Sequence, residues 1–446
     1  MKRINQFLFG AFALLSLMAC SNNDSIAGKP TPPQGEENNS YIQVNLAPLI
    51  TTRGDDGEVF VDDNKIDKID FYLLNSEGEM LEQLAKVTVA EGGIKESEGY
   101  ILKSVQKPGT YSLLAVANAK DNWILAENEN ALSKINQVGT QVVFPDEQTG
   151  KNFLMTNKLR EKKVSEFIKD YTLNLNYNLL SDPLKLTIKL DRSFAAVNIT
   201  ASSEADTPYI NSLFDKEAIK IEDGLNFKLV DFMTLNVYEK FYAVQNWEQN
   251  DASWLLKKAT MDKPKIHQLG EVAKSTNYEG YFNSNPKVIT EHNSSEKSAN
   301  NQYLAKQGYA TGIIFRVKAY DANNKEVKFY ATKDADGVKN ILVAYNEGDS
   351  NYDKDKDVLF EDGMYYTYFI QDPNRKVGDM NLWTTVRNTF YNINLTSIKQ
   401  LGGQNPGGEL KEPENPDIII DPNVSSFIEV TVDVEKWIDG GHDIDK

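Results

Sequence analysis

Cysteine and histidine are scarce in this chain. One cysteine, Cys20, and three histidines, His267, His292 and His442, occur among 446 residues. A single cysteine forms no disulfide within the chain, so apolar cores and sheet pairing must stabilise the fold. The histidines lie in no His-Glu-x-x-His motif, and no Gly-x-Ser-x-Gly motif accompanies them. We therefore predict that the protein is not an enzyme and that it holds neither a cofactor nor a metal.

Positive charge is also in deficit. Lys and Arg total 48 against 65 Asp and Glu, which gives a net charge of −17. Nucleic acids and anionic lipid surfaces attract clusters of cations, so the sequence predicts no nucleic-acid partner. The length of 446 residues favours two domains over one, and 40% hydrophobic residues can supply their cores.

Long hydrophobic runs are missing, and the apolar run from Phe7 to Ala19 is too short for the roughly 20 residues of a membrane-spanning helix. A basic start at Lys2 and Arg3 makes residues 1–19 a secretory signal peptide. The sequence Leu17-Met18-Ala19-Cys20 resembles the bacterial lipobox, in which the signal is cut before a cysteine that carries a lipid. An ordinary signal with a chance cysteine is the alternative. Without residues 1–19 the chain loses two cations and no acid, and its net charge becomes −19.

The mature chain is expected to begin with a flexible tether and then a strand. Residues 20–40 are polar and rich in Pro and Gly, as in flexible linkers. Ile42, Val44 and Leu46 then alternate with polar residues, the period of a half-buried strand. Thr, Gly and Asp around Arg53 predict an exposed loop after it.

Many further short segments alternate in the same way. Strands are predicted at 66–74, 112–117, 171–179, 184–190, 195–199, 233–237, 311–320, 327–330, 365–370 and 390–395. One helix is predicted from Trp123 to Val138, where Leu125, Leu132 and Ile135 recur at helical spacing. Gly, Asn and Asp between the strands favour β-sandwich-like domains over a parallel α/β fold. We place an N-terminal β-domain at 41–192 and a C-terminal β-domain at 193–401.

The end of the chain is predicted to be a strand that a flexible linker joins to the rest of the chain. Residues 402–424 are rich in Gly and Pro and predict a linker, and residues 425–446 form a tail. The tail strand is formed by Phe427, Ile428, Val430, Val432 and Val434, and Trp437 follows it. A lone strand satisfies neither its backbone groups nor its apolar face, so it needs another sheet to join.

Several segments together resemble a known family. They are the lipobox, Gly109-Thr110-Tyr111 leading into Val116-Ala117-Asn118, Asp191–Val197, Val386–Leu395 followed by Ser397-Ile398-Lys399, and Ile428–Val432 with Trp437. In order and spacing they resemble the fimbrillins of Bacteroidales type V pili, most closely the major subunit of the minor (Mfa-type) fimbria. The resemblance implies a mainly β fold with two tandem β-sandwich-like (transthyretin-like) domains, few short helices and a C-terminal donor strand.

The resemblance also implies a structural role and a route of assembly. Such subunits reach the surface as lipoproteins, and a trypsin-like Arg-specific protease cuts the loop after the first strand. Arg53 and Gly54 match that site here, and residues 41–53 would be the removable segment. The C-terminal strand of another copy, or of a related fimbrial subunit, then fills the vacated groove. Localisation would be a surface fimbria that adheres to host or bacterial receptors, with the precursor held at the outer membrane.

Plainer interpretations remain beside this one. The plainer interpretation of Arg53 is a solvated loop charge, and Arg375-Lys376 is a second basic site in a predicted loop, where a cut would disrupt the second domain. An outer-membrane lipoprotein that binds glycans and never polymerises would have the same leader, and its tail would fold back on its own domain. A glycosidase built from two carboxylates leaves no linear signature. Arg53-Gly54-Asp55 spells an integrin-binding tripeptide, and Asp353, Asp355 and Asp357 are more typical of a solvated acidic loop than of a calcium site.

Overall fold

Strands joined by tight turns make up most of the described chain. The computed structural model describes residues 38–47, 66–87, 99–119, 124–137, 153–157, 171–202, 207–250, 253–259, 266–275, 277–284, 286–420 and 427–436. The described residues from Asn39 onward belong to one compact unit. The mainly β fold class predicted from the alternating segments is confirmed.

The strands of the N-terminal half are short. In chain order they are β1 (Ser40–Leu46), β2 (Ile69–Leu74), β3 (Met80–Gln83), β4 (Ala85–Lys86), β5 (Tyr100–Ser104), β6 (Gly109–Ala117), β7 (Ile135–Gln137), β8 (Met155–Asn157), β9 (Thr172–Leu175), β10 (Leu184–Ile188) and β11 (Leu190–Arg192).

The C-terminal half begins with a longer strand. In chain order its strands are β12 (Phe194–Ala201), β13 (Ile219–Ile221), β14 (Asn226–Leu235), β15 (Lys240–Tyr242), β16 (Trp247–Asn250), β17 (Ser253–Leu256), β18 (Lys287–Thr290), β19 (His292–Asn293), β20 (Glu296–Lys297), β21 (Tyr303–Lys306), β22 (Gly312–Tyr320), β23 (Glu326–Val327), β24 (Phe329–Lys333), β25 (Asn340–Ala344), β26 (Val358–Phe360), β27 (Met364–Phe369), β28 (Asp372–Val377), β29 (Met380–Leu382), β30 (Thr384–Thr385), β31 (Thr389–Ile398), β32 (Ile419–Ile420) and β33 (Ile428–Lys436).

Helices contribute little to the described residues. One α-helix, α1, spans Leu269–Val272. Two 3-10 turns span Asn211–Leu213 and Glu279–Tyr281. None of the helices in the described part of the chain has the length and apolar character needed to cross a membrane.

Two sheets build the N-terminal half. One has the strand order β10-β1-β5-β4, and the other has the order β11-β8-β6-β2-β3, with β9 also paired to β6. Their inward side chains, among them Phe71, Leu102 and Leu113, share one apolar core. The first strand therefore lies within a sheet and contributes directly to that core.

Three larger sheets build the C-terminal half. Their strand orders are β18-β12-β31-β33, then β14-β22-β23 with β27 also paired to β22, and β13-β25-β24-β26. Phe227, Phe315 and Tyr391 belong to the apolar core of this half, to which all three sheets contribute. The last strand, β33, lies at the edge of the first of these sheets.

The predicted domain boundary between residues 192 and 193 falls at the turn between β11 and β12. It stays a prediction, since packing continues across this point. Phe194 contacts Phe153 of the N-terminal half at a centroid distance of 6.2 Å, and it contacts Phe241 at 5.3 Å.

The helix predicted for 123–138 is wrong over the part that the structure describes, 124–137. That part forms turns, an isolated bridge at Asn130 and the strand β7. Leu125 and Leu132 are nevertheless buried in the N-terminal core. Leu125 lies in an irregular segment and Leu132 in a turn, so their spacing does not reflect one face of a helix.

The linker predicted at 402–424 is packed over its described residues, 402–420. The Gln307 side-chain amide donates to the carbonyls of Glu412 and Asn415 at 2.9 Å each. Leu410 packs against an apolar cluster, and β32 pairs antiparallel with β21. Its Gly and Pro residues form fixed turns here, although a composition rich in Gly and Pro suggests a mobile linker.

Candidate strand-exchange site

The strand β1 occupies a seat between two other strands. It runs parallel to β10 and antiparallel to β5, with five residue pairs in each ladder. Ile42 lies opposite both Leu184 of β10 and Leu102 of β5. Since β10 is the end strand of this sheet, β1 is its one strand partner among the described residues. Removing β1 would therefore leave facing, unpaired edges on β10 and β5.

The seat buries most of the inward face of β1. Ser40, Ile42 and Val44 are all 0% exposed, and Tyr41 on the other face is 8% exposed. The predicted placeholder residues Ile42 and Val44 belong to the N-terminal core, and Leu46 packs against it while half-buried. Because fully burying one such side chain contributes roughly 1.5–3 kcal/mol, this strand contributes directly to the stability of the N-terminal half.

A glycine sets how closely the seat fits. Gly99, at the start of β5, has φ of +117°, and a Cβ placed there would lie 2.6 Å from the Val44 carbonyl oxygen. Any other residue at this position would push β1 outward. The backbone amides of Tyr41 and Ala47 donate to the carbonyls of Asn178 and Ile188, and these bonds fix the two ends of the strand.

The strand β33 lies on an open edge. It pairs antiparallel with β31 over nine residue pairs, with a bulge between Leu395 and Ser397. Among the described residues it has no strand on its other side. The described part of the tail, residues 427–436, thus folds back on the C-terminal half of the same chain.

Burial along β33 is incomplete. Ile428 is 3% exposed and joins the C-terminal core, whereas Val430, Val432 and Val434 are half-buried against it. The residues between them, from Glu429 to Glu435, are exposed. The apolar face that the alternation predicts is present, but only its first residue reaches full burial.

An ion pair holds the outer face of β33. The Glu429 carboxylate contacts the Lys399 ammonium just beyond the end of β31. Their side chains are 53% and 36% exposed, so the pair is largely solvated. Surface pairs of this kind contribute about 0–1 kcal/mol, so the tail is held mainly by its ladder and by Ile428.

Two of the segments that carry the family resemblance meet in a buried polar cluster. The Asn388 amide donates to Asp191 at 2.9 Å and accepts from Arg192 at 3.2 Å. Asn388 has a left-handed φ of +54°, which asparagine tolerates better than most residues. The cluster fixes the point at which β31 begins, and it therefore positions the edge that carries β33.

The adjoining Arg387 strengthens this cluster. It is 4% exposed, pairs with the buried carboxylate of Glu291 at 3.0 Å and donates to the Ala243 carbonyl at 2.9 Å. Neither Glu291 nor this pairing is visible in the sequence, because the partners lie 96 residues apart. Removing one partner of a buried ion pair is strongly destabilising, since the other charge is left uncompensated.

A cleft of about 1020 Å³ adjoins β33. Phe427–Val432 form one wall, and Thr367–Phe369, Trp383 and Ile418–Ile420 form others. The lining mixes aliphatic and aromatic side chains with polar ones, which suits an extended segment or an aromatic-stacking ligand.

Glu409, on the rim of this cleft, caps the edge of β27. Its Oε1 accepts from the Thr367 backbone amide, while its buried Oε2 has no hydrogen-bond partner. Burial raises the pKa of this carboxyl to about 7. The backbone of Gly403 also pairs with Tyr365 in both directions. The segment predicted as a linker thus covers part of an otherwise open strand edge.

Some predicted site residues lie outside the described part of the chain. These are Cys20, Arg53, Gly54 and Trp437. Lipidation at Cys20, cleavage between Arg53 and Gly54, and any role of Trp437 therefore stay predictions. The structure places the strand that is predicted to be removable and the tail strand in separate sheets of the same chain.

Two weaker candidates, the basic residue Arg375 and the acidic group around Asp353, make contacts within the fold. Arg375, predicted in a loop, lies instead in β28, and its guanidinium stacks 4.9 Å from the ring centroid of Trp247. The Asp353 carboxylate pairs with Lys356 at 2.7 Å and accepts from the Asp355 amide at 3.0 Å. No group of three or more metal-binding side chains occurs among the described residues.

The C-terminal part of the chain is similar to a known protein family. Residues 359–443 match the family model described as major fimbrial subunit protein type IV, fimbrillin, C-terminal. This match covers about a fifth of the chain and includes β27, β31 and β33. The predicted resemblance to the fimbrillins is confirmed over these residues. A search of curated proteins finds no match.

Solved structures give remote likenesses over most of the chain. A fimbrillin, FimA, from Porphyromonas gingivalis W83 is 14% identical with a TM-score of 0.44, covering 90% of this chain and 99% of that one. A putative cell adhesion protein from Parabacteroides distasonis is 12% identical with a TM-score of 0.43, covering 90% and 100%. The tip fimbrial protein Mfa3 from Porphyromonas gingivalis, truncated at its C-terminus, is 12% identical with a TM-score of 0.38, covering 90% and 100%.

Proposed function

We propose that this chain is a structural subunit of a surface fimbria that polymerises by donor-strand exchange and mediates adhesion. The precursor is exported as a lipoprotein on Cys20 and cut between Arg53 and Gly54. The segment containing β1 then leaves, and β33 of another copy takes its place. The fimbrillin match at residues 359–443 supports the family assignment. The observation that supports the exchange is the full burial of Ile42 and Val44 of β1 between two strands, while a similar strand, β33, lies on an open edge.

The two positions differ in what they offer the tail strand. On its own edge β33 has one neighbouring strand, and Val430 and Val432 stay half-buried. In the seat of β1 a strand has two neighbours, and the inward position Val44 is 0% exposed, whereas Leu46 at the end of the strand is half-buried. Burying the remaining surface of one valine at the Val44 position would contribute roughly 0.5–1.5 kcal/mol, before ordering costs.

Cleavage supplies the second part of the driving force. While β1 is covalently attached, its return to the seat is intramolecular, and its effective concentration is on the order of millimolar. After a cut at Arg53 the departing segment is a separate peptide that keeps the lipid on Cys20 and is no longer tethered to the subunit. The tail of another subunit remains tethered to a large assembly, so it replaces β1 without competition from the original occupant.

The experiment is to extract surface protein without heating and to look for an SDS-resistant ladder. Unaltered protein should give the ladder, with Gly54 as its first residue by N-terminal sequencing. Arg53→Ala should leave a lipidated, uncut monomer without a ladder. Asp56→Ala, a change in the same loop that keeps the Arg53-Gly54 bond, is the matched control and should give the ladder.

A second arm removes the tail. Deletion of residues 427–446 should leave folded monomers, because β1 and its core are untouched, but no ladder. Deletion of residues 438–446 keeps β33 and Trp437 and should preserve assembly. Normal fimbriae from Arg53→Ala, or from the longer deletion, would rule the proposal out.

A second candidate is an outer-membrane lipoprotein that binds glycans and does not polymerise. One observation favours it: the tail folds back on its own half of the subunit, as that function requires. The cleft beside β33, with Trp383 and Tyr368 in its lining, offers aromatic surfaces for sugars. This alternative expects monomers after protease treatment and retention on a glycan array.

A further inference from the structure

We propose that the tail strand enters the seat in one register, in which Phe427–Val432 take the places of Tyr41–Leu46. This rests on the proposed exchange and adds which residue replaces which. Alternation alone fixes only which face of a strand points inward. The residues on the other face, and the charges beside them, decide among the registers that alternation leaves open.

The two strands match residue by residue in the same chain direction. The replacements are Tyr41 by Phe427, Ile42 by Ile428, Gln43 by Glu429, Val44 by Val430, Asn45 by Thr431 and Leu46 by Val432. In both segments the residue before the aromatic is serine, Ser40 and Ser426. Every position thus keeps its character: aromatic, β-branched, polar or apolar.

The shared direction fixes the neighbours of the incoming strand. Like β1, it would run parallel to β10 and antiparallel to β5. Ile428 would then lie between Leu184 and Leu102, the two residues that flank Ile42. Val430 would take the place of Val44, the position close to Gly99, with a side chain of identical shape.

Registers shifted by two residues keep the alternation but fail at buried positions. A shift in one direction places Glu429 where Tyr41 is 8% exposed, which buries a carboxylate. A shift in the other direction places Ser426 where Ile42 is 0% exposed, which leaves a hydroxyl and a void in the core. The matched register avoids both defects.

The matched register also improves the charge pairing. Gln43 lies opposite Lys185 in the parallel ladder with β10, and Lys185 is exposed. Replacing the neutral Gln43 by Glu429 puts a carboxylate beside that lysine. On its own subunit Glu429 contacts Lys399. Exchange therefore moves Glu429 from one lysine to another, rather than leaving it unpaired.

The experiment maps the register with engineered disulfides in filaments. Lys103 lies opposite Tyr41 across the antiparallel ladder, where facing Cα atoms lie about 4.5–5.5 Å apart and within disulfide range. Lys103→Cys is combined in turn with Ser425→Cys, Phe427→Cys or Glu429→Cys, in protein cleaved at Arg53 and therefore free of Cys20.

Phe427→Cys should cross-link neighbouring subunits at least 10-fold more than the other two. Stronger cross-linking by Ser425→Cys or Glu429→Cys would overturn the register while leaving the exchange intact. Filaments that form but cross-link with none of the three would overturn the proposed exchange itself, because the tail would then lie elsewhere.

A charge reversal tests the same register without oxidation. Glu429→Lys alone should slow polymerisation about 2- to 5-fold, and Lys185→Glu alone should have a similar effect. Combined in one chain, they should restore the rate to within about twofold of the unaltered protein. A combined variant as slow as the slower single variant would contradict the placement of Glu429 beside Lys185.

Discussion

The first and last described strands, β1 and β33, share an alternation of apolar and polar residues but are buried to different extents, because they occupy different positions in their sheets. β1 lies between two strands, and three of its four inward residues, Ser40, Ile42 and Val44, are completely buried. β33 has one neighbour, and three of its four inward residues remain half-buried. The sequence gives both segments nearly the same alternation. The seat, rather than the strand, therefore supplies the greater part of the stabilisation.

The largest expected effect compares one charge at the two positions. In the uncut chain Val44→Asp buries an unpaired carboxylate in the seat, and it should lower the free energy of unfolding by roughly 3–5 kcal/mol. Val432→Asp stays partly solvated on the edge and should lower it by about 1 kcal/mol. Urea unfolding measures both, and Asn45→Asp, beside Val44, is the control. Equal losses at Val44 and Val432 would remove the distinction between seat and edge.

A second prediction concerns the buried acid on the tail side of the molecule. Burial raises the pKa of Glu409 from 4.5 to about 7, so the folded chain keeps a proton that the unfolded chain releases. Stability contributed by this group is therefore present below pH 4.5 and lost as the pH rises to about 7. Glu409→Gln removes this loss, and above pH 7 it should be more stable than the unaltered protein by up to about 3 kcal/mol.

Thermal unfolding between pH 4 and pH 8 measures this difference. Glu412→Gln changes an exposed carboxylate of the same segment and serves as the control. If the unaltered protein and Glu409→Gln showed the same slope against pH, the carboxyl would not be buried as the structure places it.

The smallest expected effect lies on the exposed face of the tail strand. Lys399→Ala removes the solvated pair with Glu429 and should cost less than about 1 kcal/mol. Hydrogen exchange should become modestly faster at β33 and remain unchanged at β1. Lys376→Ala, another exposed lysine, is the control. Faster exchange at β1 would mean that the two strands are coupled within one subunit.

Alternation in the sequence predicts where many strands lie but not which strands they pair with. The strand β1 is predicted by the alternation of Ile42, Val44 and Leu46. Its parallel partner β10, however, begins at Leu184, about 140 residues away. Pairings at such separations depend on how the whole chain packs, so no local pattern reveals them. The same reason hides Glu291, which meets Arg387 only after the sheets assemble.

Composition misleads where a small residue has a fixed role. Gly and Pro in 402–420 predict mobility, but Gly308 approaches Pro416 so closely that a Cβ there would lie 2.2 Å from the proline side chain. The edge position of β33 is also beyond prediction, because the alternation identifies an apolar face but not what covers it. The predicted need of that strand for a sheet is met within its own subunit, by β31.

The end position of β10 has a consequence for timing during biogenesis. A subunit that has lost β1 but has not yet received a donor would expose two bare strand borders, and such borders recruit other chains indiscriminately. A standing pool of emptied subunits would therefore be hazardous to the cell surface. Under the proposed exchange, cleavage at Arg53 and arrival of the next copy would therefore have to occur together. The protease would then set the rate at which the filament grows.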